Sequence, residues 1–305
     1  MWPLIQKRKY AYWFSGILVV LSIAALSQWG LRLGIDFKGG TLMEVAYPEG
    51  KVPVITDART SLEGLGMSSL TLQPTGDRGI IIRYLASDES LNEKVLEELK
   101  KFDESVELVR VDFIGASVSQ QIKSNAMKAL ATAIVGIALY IAWAFRKVSY
   151  PVSSWYYGVM ANVALFHDLI ITIGIFSVLG HFYGVEIDAS FIAALLTILG
   201  FSVHDTIVVY DRVRENLMRS RVKENFESVV NRSLNETIAR SFNTSFTVII
   251  VLLAITIYGG ESIRYFSLAL LVGIVAGTYS SIYVAAALLV SGLEWKQKRE
   301  EKSEK

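Results

Sequence analysis

Asp205 stands inside the apolar run SFIAALLTILGFSVHDTIVVYDRVREN, residues 190–216. A charged side chain in hydrocarbon costs roughly 2.5–3.5 kcal/mol on insertion scales, so it persists where it faces a protein interior and has a partner or a task. Asp211 marks the polar edge of the run six residues later, which places Asp205 about 9 Å inside that edge at the helical rise. Arg240 opens the next apolar run, and Asn243, Thr244 and Thr247 follow at i+3, i+4 and i+7. That spacing predicts a polar helix face turned inward, bringing Arg240 to Asp205. A carboxylate that binds a guanidinium when ionised and releases it when protonated is a proton relay. A static buried ion pair, or an arginine snorkelling at a helix end, is the plainer alternative.

A second pair echoes the first: His167-Asp168 lies in one apolar run and His204-Asp205 in the next. Asp168 is the more central carboxylate by residue count, which makes it a second relay candidate. Two membrane aspartates also suit an aspartyl protease, and two His-Asp pairs a metal site. Both readings are weak here. Neighbouring residues on a helix point about 100° apart, and no Gly-x-Gly-Asp, Gly-x-Ser-x-Gly or His-Glu-x-x-His motif occurs. Neither an enzyme nor a metal or cofactor is therefore expected, and His167, His204 and Ser202 are read as supporting polar groups. Gly273, Gly277, Ser281 and Ala285 recur every four residues, a small-residue stripe that admits another helix closely, from this chain or from a partner.

The elements that must position these groups are membrane helices. Of 305 residues, 52% are hydrophobic and 19% charged, the mean hydropathy is +0.41, and the apolar runs are of membrane length. The net charge of +1 gives no basic surface for nucleic acid, and the absence of cysteine excludes disulfides and thiolate chemistry. Residues 10–29 form the expected first span; the run is longer than the h-region of a cleaved signal peptide. Five more are expected at 127–145, 156–179, 190–210, 241–258 and 265–293. Residues 31–122 are soluble in character, with 10 Lys/Arg against 15 Asp/Glu, a net of −5. Strands are expected at 41–47, 69–72, 80–85 and 106–113, with Pro74 to Asp77 as a turn. Helices are expected at 55–65 and after a Ser90/Glu93 capping box, where Leu91, Val95, Leu99 and Phe102 share a face. The order β-α-β-β-α-β is that of a ferredoxin-like unit. Both termini, residues 146 and 147, and the basic stretch 211–240 fall on one side, cytoplasmic by the positive-inside rule, with the α+β domain opposite. The charged tail, 294–305, is expected to be disordered from residue 296.

These residues together resemble the SecF family of export membrane proteins, within the resistance-nodulation-division superfamily. The resemblance rests on Gly34-Ile35-Asp36-Phe37-Lys38-Gly39-Gly40, on Phe166-His167-Asp168 with the LIITIG that follows, on Asp205-Thr206-Ile207-Val208-Val209-Tyr210-Asp211-Arg212-Val213-Arg214-Glu215-Asn216, and on Gly277-Thr278-Tyr279-Ser280-Ser281-Ile282-Tyr283. It covers nearly the whole chain. The likeness implies a six-helix half of a twelve-helix unit in the prokaryotic cytoplasmic membrane, with SecD supplying the other half. It also implies proton-motive-force-driven promotion of protein translocation with the SecYEG translocon, acting on a translocating polypeptide at the lipid bilayer. By motif, Asp205 and Arg240 correspond to the family's membrane aspartate and arginine. A proton-coupled small-molecule or lipid exporter of the same superfamily is the alternative, and a scaffold without transport a third.

Overall fold

The computed structural model describes residues 1–85, 90–146, 152–219 and 224–303. Backbone contacts divide it into two compact units, Leu33–Ala126 on the one hand and Met1–Arg32 with Met127–Lys305 on the other.

The first unit is a four-stranded antiparallel sheet with two helices: β1 (Gly40–Ala46), α3 (Ile55–Glu63), β2 (Ser68–Thr75), β3 (Gly79–Leu85), α4 (Ser90–Lys100) and β4 (Glu107–Ile114), preceded by a single turn, α2 (Ile35–Lys38). The strand order is β2-β3-β1-β4, as the split βαβ pattern requires. Alternate strand residues Met43, Val45, Ile80, Ile82 and Tyr84 are buried with Ala58 and Leu62 of α3 and Val95 and Leu99 of α4, so period-2 and period-3.6 apolar faces meet in one core. Pro74 belongs to β2 rather than to the turn and sits opposite Ile80. β2 is an edge strand, where a residue without an N–H costs no ladder bond. The Ser90 side chain, and with it the expected capping box, lies outside the described residues. Gly39 and Gly40 enter β1 at φ 77° and 116°. A Cβ on Gly40 would lie 2.6 Å from the Tyr84 carbonyl oxygen, so this junction requires glycine on both counts.

The second unit is helical: α1 (Arg8–Trp29), the greater part of α5 (Ala116–Ala144), α6 (Ser154–Tyr183), α7 (Ala189–Arg219), α8 (Phe226–Tyr258) and a last helix built from α9 (Glu261–Ser280), a π-helical turn (Ser281–Ala285) and α10 (Ala286–Ser303). Among the described residues six helices are long and apolar enough to cross a membrane. α10 carries the tail in helical form as far as Ser303, correcting the expectation of disorder from residue 296: continuation of the last membrane helix supplies the nucleus that an isolated charged segment lacks. α7 and α8 likewise run past their apolar stretches. Their polar ends pair through Asn216 Nδ2, which donates to Ser233 Oγ at 3.0 Å.

Close helix contact is local and specific. A Cβ on Gly174 of α6 would lie 2.3 Å from Ser22 Cβ of α1, and one on Gly273 of α9 the same distance from the Ile198 side chain of α7. Ser177 Oγ lies 2.6 Å from the Gly30 oxygen and 3.1 Å from the Ala25 oxygen, tying α6 to the carbonyls at the end of α1. Tyr157, Tyr210 and Phe145 form an aromatic core, with the Tyr157 and Tyr210 ring centroids 5.3 Å apart and edge to face. Tyr210 OH donates to the Ala285 oxygen at 3.1 Å, a carbonyl in the π-turn. At the end bearing both termini, Leu4 and Ile5 donate their N–H groups to Asn231 Oδ1 at 2.9 and 3.2 Å, and Arg8 pairs with Glu227 at 3.3 Å and Glu294 at 2.6 Å.

Candidate functional site: two buried carboxylates

Asp168 sits halfway along α6 and is fully buried. Its Oδ2 accepts from Ser202 Oγ of α7 at 2.5 Å and from Ser280 Oγ of α9 at 2.8 Å, while Oδ1 lies 3.0 Å from His167 Nδ1. One carboxylate thus gathers donors from three helices. The backbone allows this because Gly277, one turn before Ser280, lets α9 approach α7; a Cβ there would stand 2.9 Å from Ser202 Cβ. His167 is itself buried, and among the described residues its Nε2 has no hydrogen-bond partner.

Asp205 of α7 is 2% exposed. Its Oδ2 accepts from Ser245 Oγ of α8 at 3.2 Å, and Thr278 Oγ1 of α9 lies 2.7 Å from Ser245 Oγ. The two carboxylate networks therefore share α7 and α9: Ser202 and Asp205 on the former, Thr278 and Ser280 on the latter.

The expected Asp205–Arg240 contact is not formed. Arg240, Asn243, Thr244 and Thr247 are exposed on this chain, and the two threonines turn their hydroxyls back to the backbone, Thr244 to the Arg240 oxygen at 2.9 Å and Thr247 to the Thr244 oxygen at 2.8 Å. α8 buries instead Ser233, Thr237, Ser241 and Ser245. These recur every four residues, and their small volume lets α8 close on α7 and α9, which a long guanidinium side chain would hold apart. Ser245, Thr278 and Ser280 were missed as site residues, although the four-residue spacing of the buried α8 hydroxyls is legible in the sequence. The two His-Asp pairs also differ: His167 is bonded to its aspartate, whereas His204 is exposed. The small stripe of Gly273, Gly277, Ser281 and Ala285 is buried within this chain, with its glycines against α7. Among the described residues no three His, Cys, Asp or Glu side chains come together as metal ligands.

Outside the spans the electrostatics are ordinary. Burial pushes the phenols of Tyr47 and Tyr84 up to about 12. The Lys51 ammonium and the Ser105 donors hold Asp103 down to about 2.

Comparison with known proteins places this geometry. Residues 94–295 match the family described as protein export membrane protein SecD/SecF, C-terminal, and residues 27–47 match the SecD/SecF GG motif. A protein translocase subunit SecF of Thermobaculum terrenum is 45% identical, aligned over 96% of this chain and 94% of that protein. One from Anaerolinea thermophila is 36% identical over 97% and 96%. The crystal structure of SecDF from Thermus thermophilus, titled a translocon-associated membrane protein, superposes with a TM-score of 0.82 at 31% identity, covering 97% of this chain and 40% of that one. SecDF in a super-membrane-facing form superposes with a TM-score of 0.67 at 32% identity, covering 99% and 40%. This chain spans two-fifths of the SecDF chains but nearly all of the SecF relatives, and it belongs to the SecF family of multi-pass membrane subunits for protein translocation.

Proposed function

We propose that this chain is one half of a proton-motive-force-driven complex with SecD, promoting translocation through SecYEG in the cytoplasmic membrane, with both termini in the cytoplasm. The observation that carries this is Asp205: a buried carboxylate in a membrane helix, held through a hydroxyl of the neighbouring helix and, among the described residues, by no salt bridge. Protonation there removes a charge and weakens the pull on Ser245, so the fit of α7 against α8 depends on proton occupancy. One charge moved through 100 mV yields about 2.3 kcal/mol, enough to shift a two-state helix arrangement more than tenfold. The α+β unit is inserted between α1 and α5, so it is covalently tied to the membrane helices and could pull or hold an emerging polypeptide as they shift.

A partner chain is supported by the outward face of α8. Arg240, Asn243, Thr244 and Thr247 would meet lipid on an isolated chain, at an insertion cost of roughly 2.5–3.5 kcal/mol for the arginine were it at the bilayer centre. Burial against SecD removes that cost and puts Arg240 where a partner carboxylate can reach it. Asp205 and Arg240 are then relay residues on two faces of one subunit, with Asp168 as a second relay site.

The test is Asp205→Asn in the assembled complex. Proton-dependent stimulation of export is expected to disappear while SecD still co-purifies; full stimulation in that variant would overturn the assignment.

A further inference from the structure

The geometry points to His167 as the proton-transfer residue that connects Asp168 to an open groove between α1 and the last helix. The inference rests on the proton-coupled reading above and adds a route to it. The groove has a volume of about 590 Å³ and is lined by Lys7, Tyr10, Ala11, Phe14, Tyr279 and Tyr283. It therefore runs from the chain-terminus end of the bundle inward along α1, under three phenol-bearing rings. Tyr279 is the wall between groove and carboxylate. Its ring centroid is 6.3 Å from that of His167, and its hydroxyl is tied to α1, donating to the Ala11 oxygen at 3.1 Å and accepting from Ser15 Oγ at 3.2 Å.

His167 has the bonding such a step needs. Nδ1 faces Asp168 Oδ1 at 3.0 Å, whereas Nε2 is buried and has no partner among the described residues. A buried ring nitrogen of this kind is suited to exchanging its proton with intermittent water. The titratable groups facing the ring are Asp168 on its own helix and Tyr279 on α9; α7 contributes Ser202 to the same carboxylate, and α1 contributes Ser15 beside Tyr279. The step balances simply. The Asp168 O–H bond breaks, Nδ1–H forms, and the Nε2 proton leaves to groove water. The new carboxylate keeps the Nδ1–H, Ser202 and Ser280 donors until another proton arrives.

The complex of this chain with its partner, reconstituted in vesicles holding a pH-sensitive dye, tests the route. His167→Gln is expected to lower proton flux at least tenfold and to flatten its dependence on pH at the terminus side, with the partner still bound. Ala11→Phe, which fills the groove from α1, is expected to lower flux at least threefold even if His167→Gln does not assemble. Wild-type flux and pH profile in either assembled variant would overturn the route. If Asp205→Asn abolishes flux while both variants retain it, the route alone fails; if the wild-type complex carries no flux, the proton-coupled reading fails and takes the route with it.

Discussion

Ser245 Oγ donates to Asp205 Oδ2 across the α7–α8 contact, at 3.2 Å and forty positions apart in the chain. The bond makes a single hydroxyl the point at which α8 senses the charge on α7. Thr278 backs it from α9 at 2.7 Å, so three helices converge on one proton acceptor.

Ser245→Ala should therefore cost about 1–3 kcal/mol, the penalty for a buried acceptor that loses its donor. Ser245→Thr, which keeps the hydroxyl, should recover most of it. Thermal unfolding in detergent with the partner bound would measure both. Equal melting temperatures for Ala and wild type would show that the bond contributes nothing to the fold.

Gly273→Leu is expected to separate α9 from α7, because even a Cβ there would meet the Ile198 side chain at 2.3 Å. Overpacking of this kind costs about 1–3 kcal/mol or more. Gly16→Leu, at a position where a Cβ meets nothing within 4 Å, is the matched control and should not lower the melting temperature, since Leu is the better helix former.

Arg240→Ala should behave in the opposite way, leaving the isolated chain as stable as wild type while reducing co-purification of the partner several-fold. The side chain is exposed on this subunit, so its loss opens no cavity. A destabilised isolated chain with undiminished partner binding would place Arg240 in an intrachain role.

The α+β unit should lose stability at both ends of the pH scale. Asp103 is depressed to about 2, so its contribution is present above the unfolded carboxylate value of about 4 and is lost as pH falls towards 2. Tyr47 and Tyr84 are raised to about 12. Their contribution is complete below the unfolded phenol value of about 10 and is lost as pH rises through 12. Hydrogen exchange of β1 and β3 amides in the full chain, compared with Asp103→Asn and Tyr84→Phe, would check each limb after correction for intrinsic exchange.

The hydropathy runs located the membrane spans, and period-2 alternation around Met43, Val45, Ile80 and Ile82 located the sheet, because burial of those faces leaves few other solutions. The face of α8 was not legible in the same way. Arg240, Asn243, Thr244 and Thr247 share one helical face, while Ser233, Thr237, Ser241 and Ser245 share another. Periodicity alone ranks the charged face first. Volume decides between them, since only the small hydroxyls let α7 and α9 close. The Ser280–Asp168 bond was hidden for a related reason: it joins positions 112 apart, and neither residue's local pattern names the other.

The π-helical turn at Ser281–Ala285 acts as an inserted residue in the last helix. Relative to an unbroken α-helix, it advances everything after it by one position, or about 100° of azimuth. Leu289 and Val290, beyond the turn, are buried in the core. Because the wide turn absorbs one residue, a one-residue deletion between 281 and 285 that restores regular helical bonding would leave those two side chains facing the core. Relatives that lose one residue here would thus keep the same face of the C-terminal helix towards the bundle, a change of length without a change of facing direction.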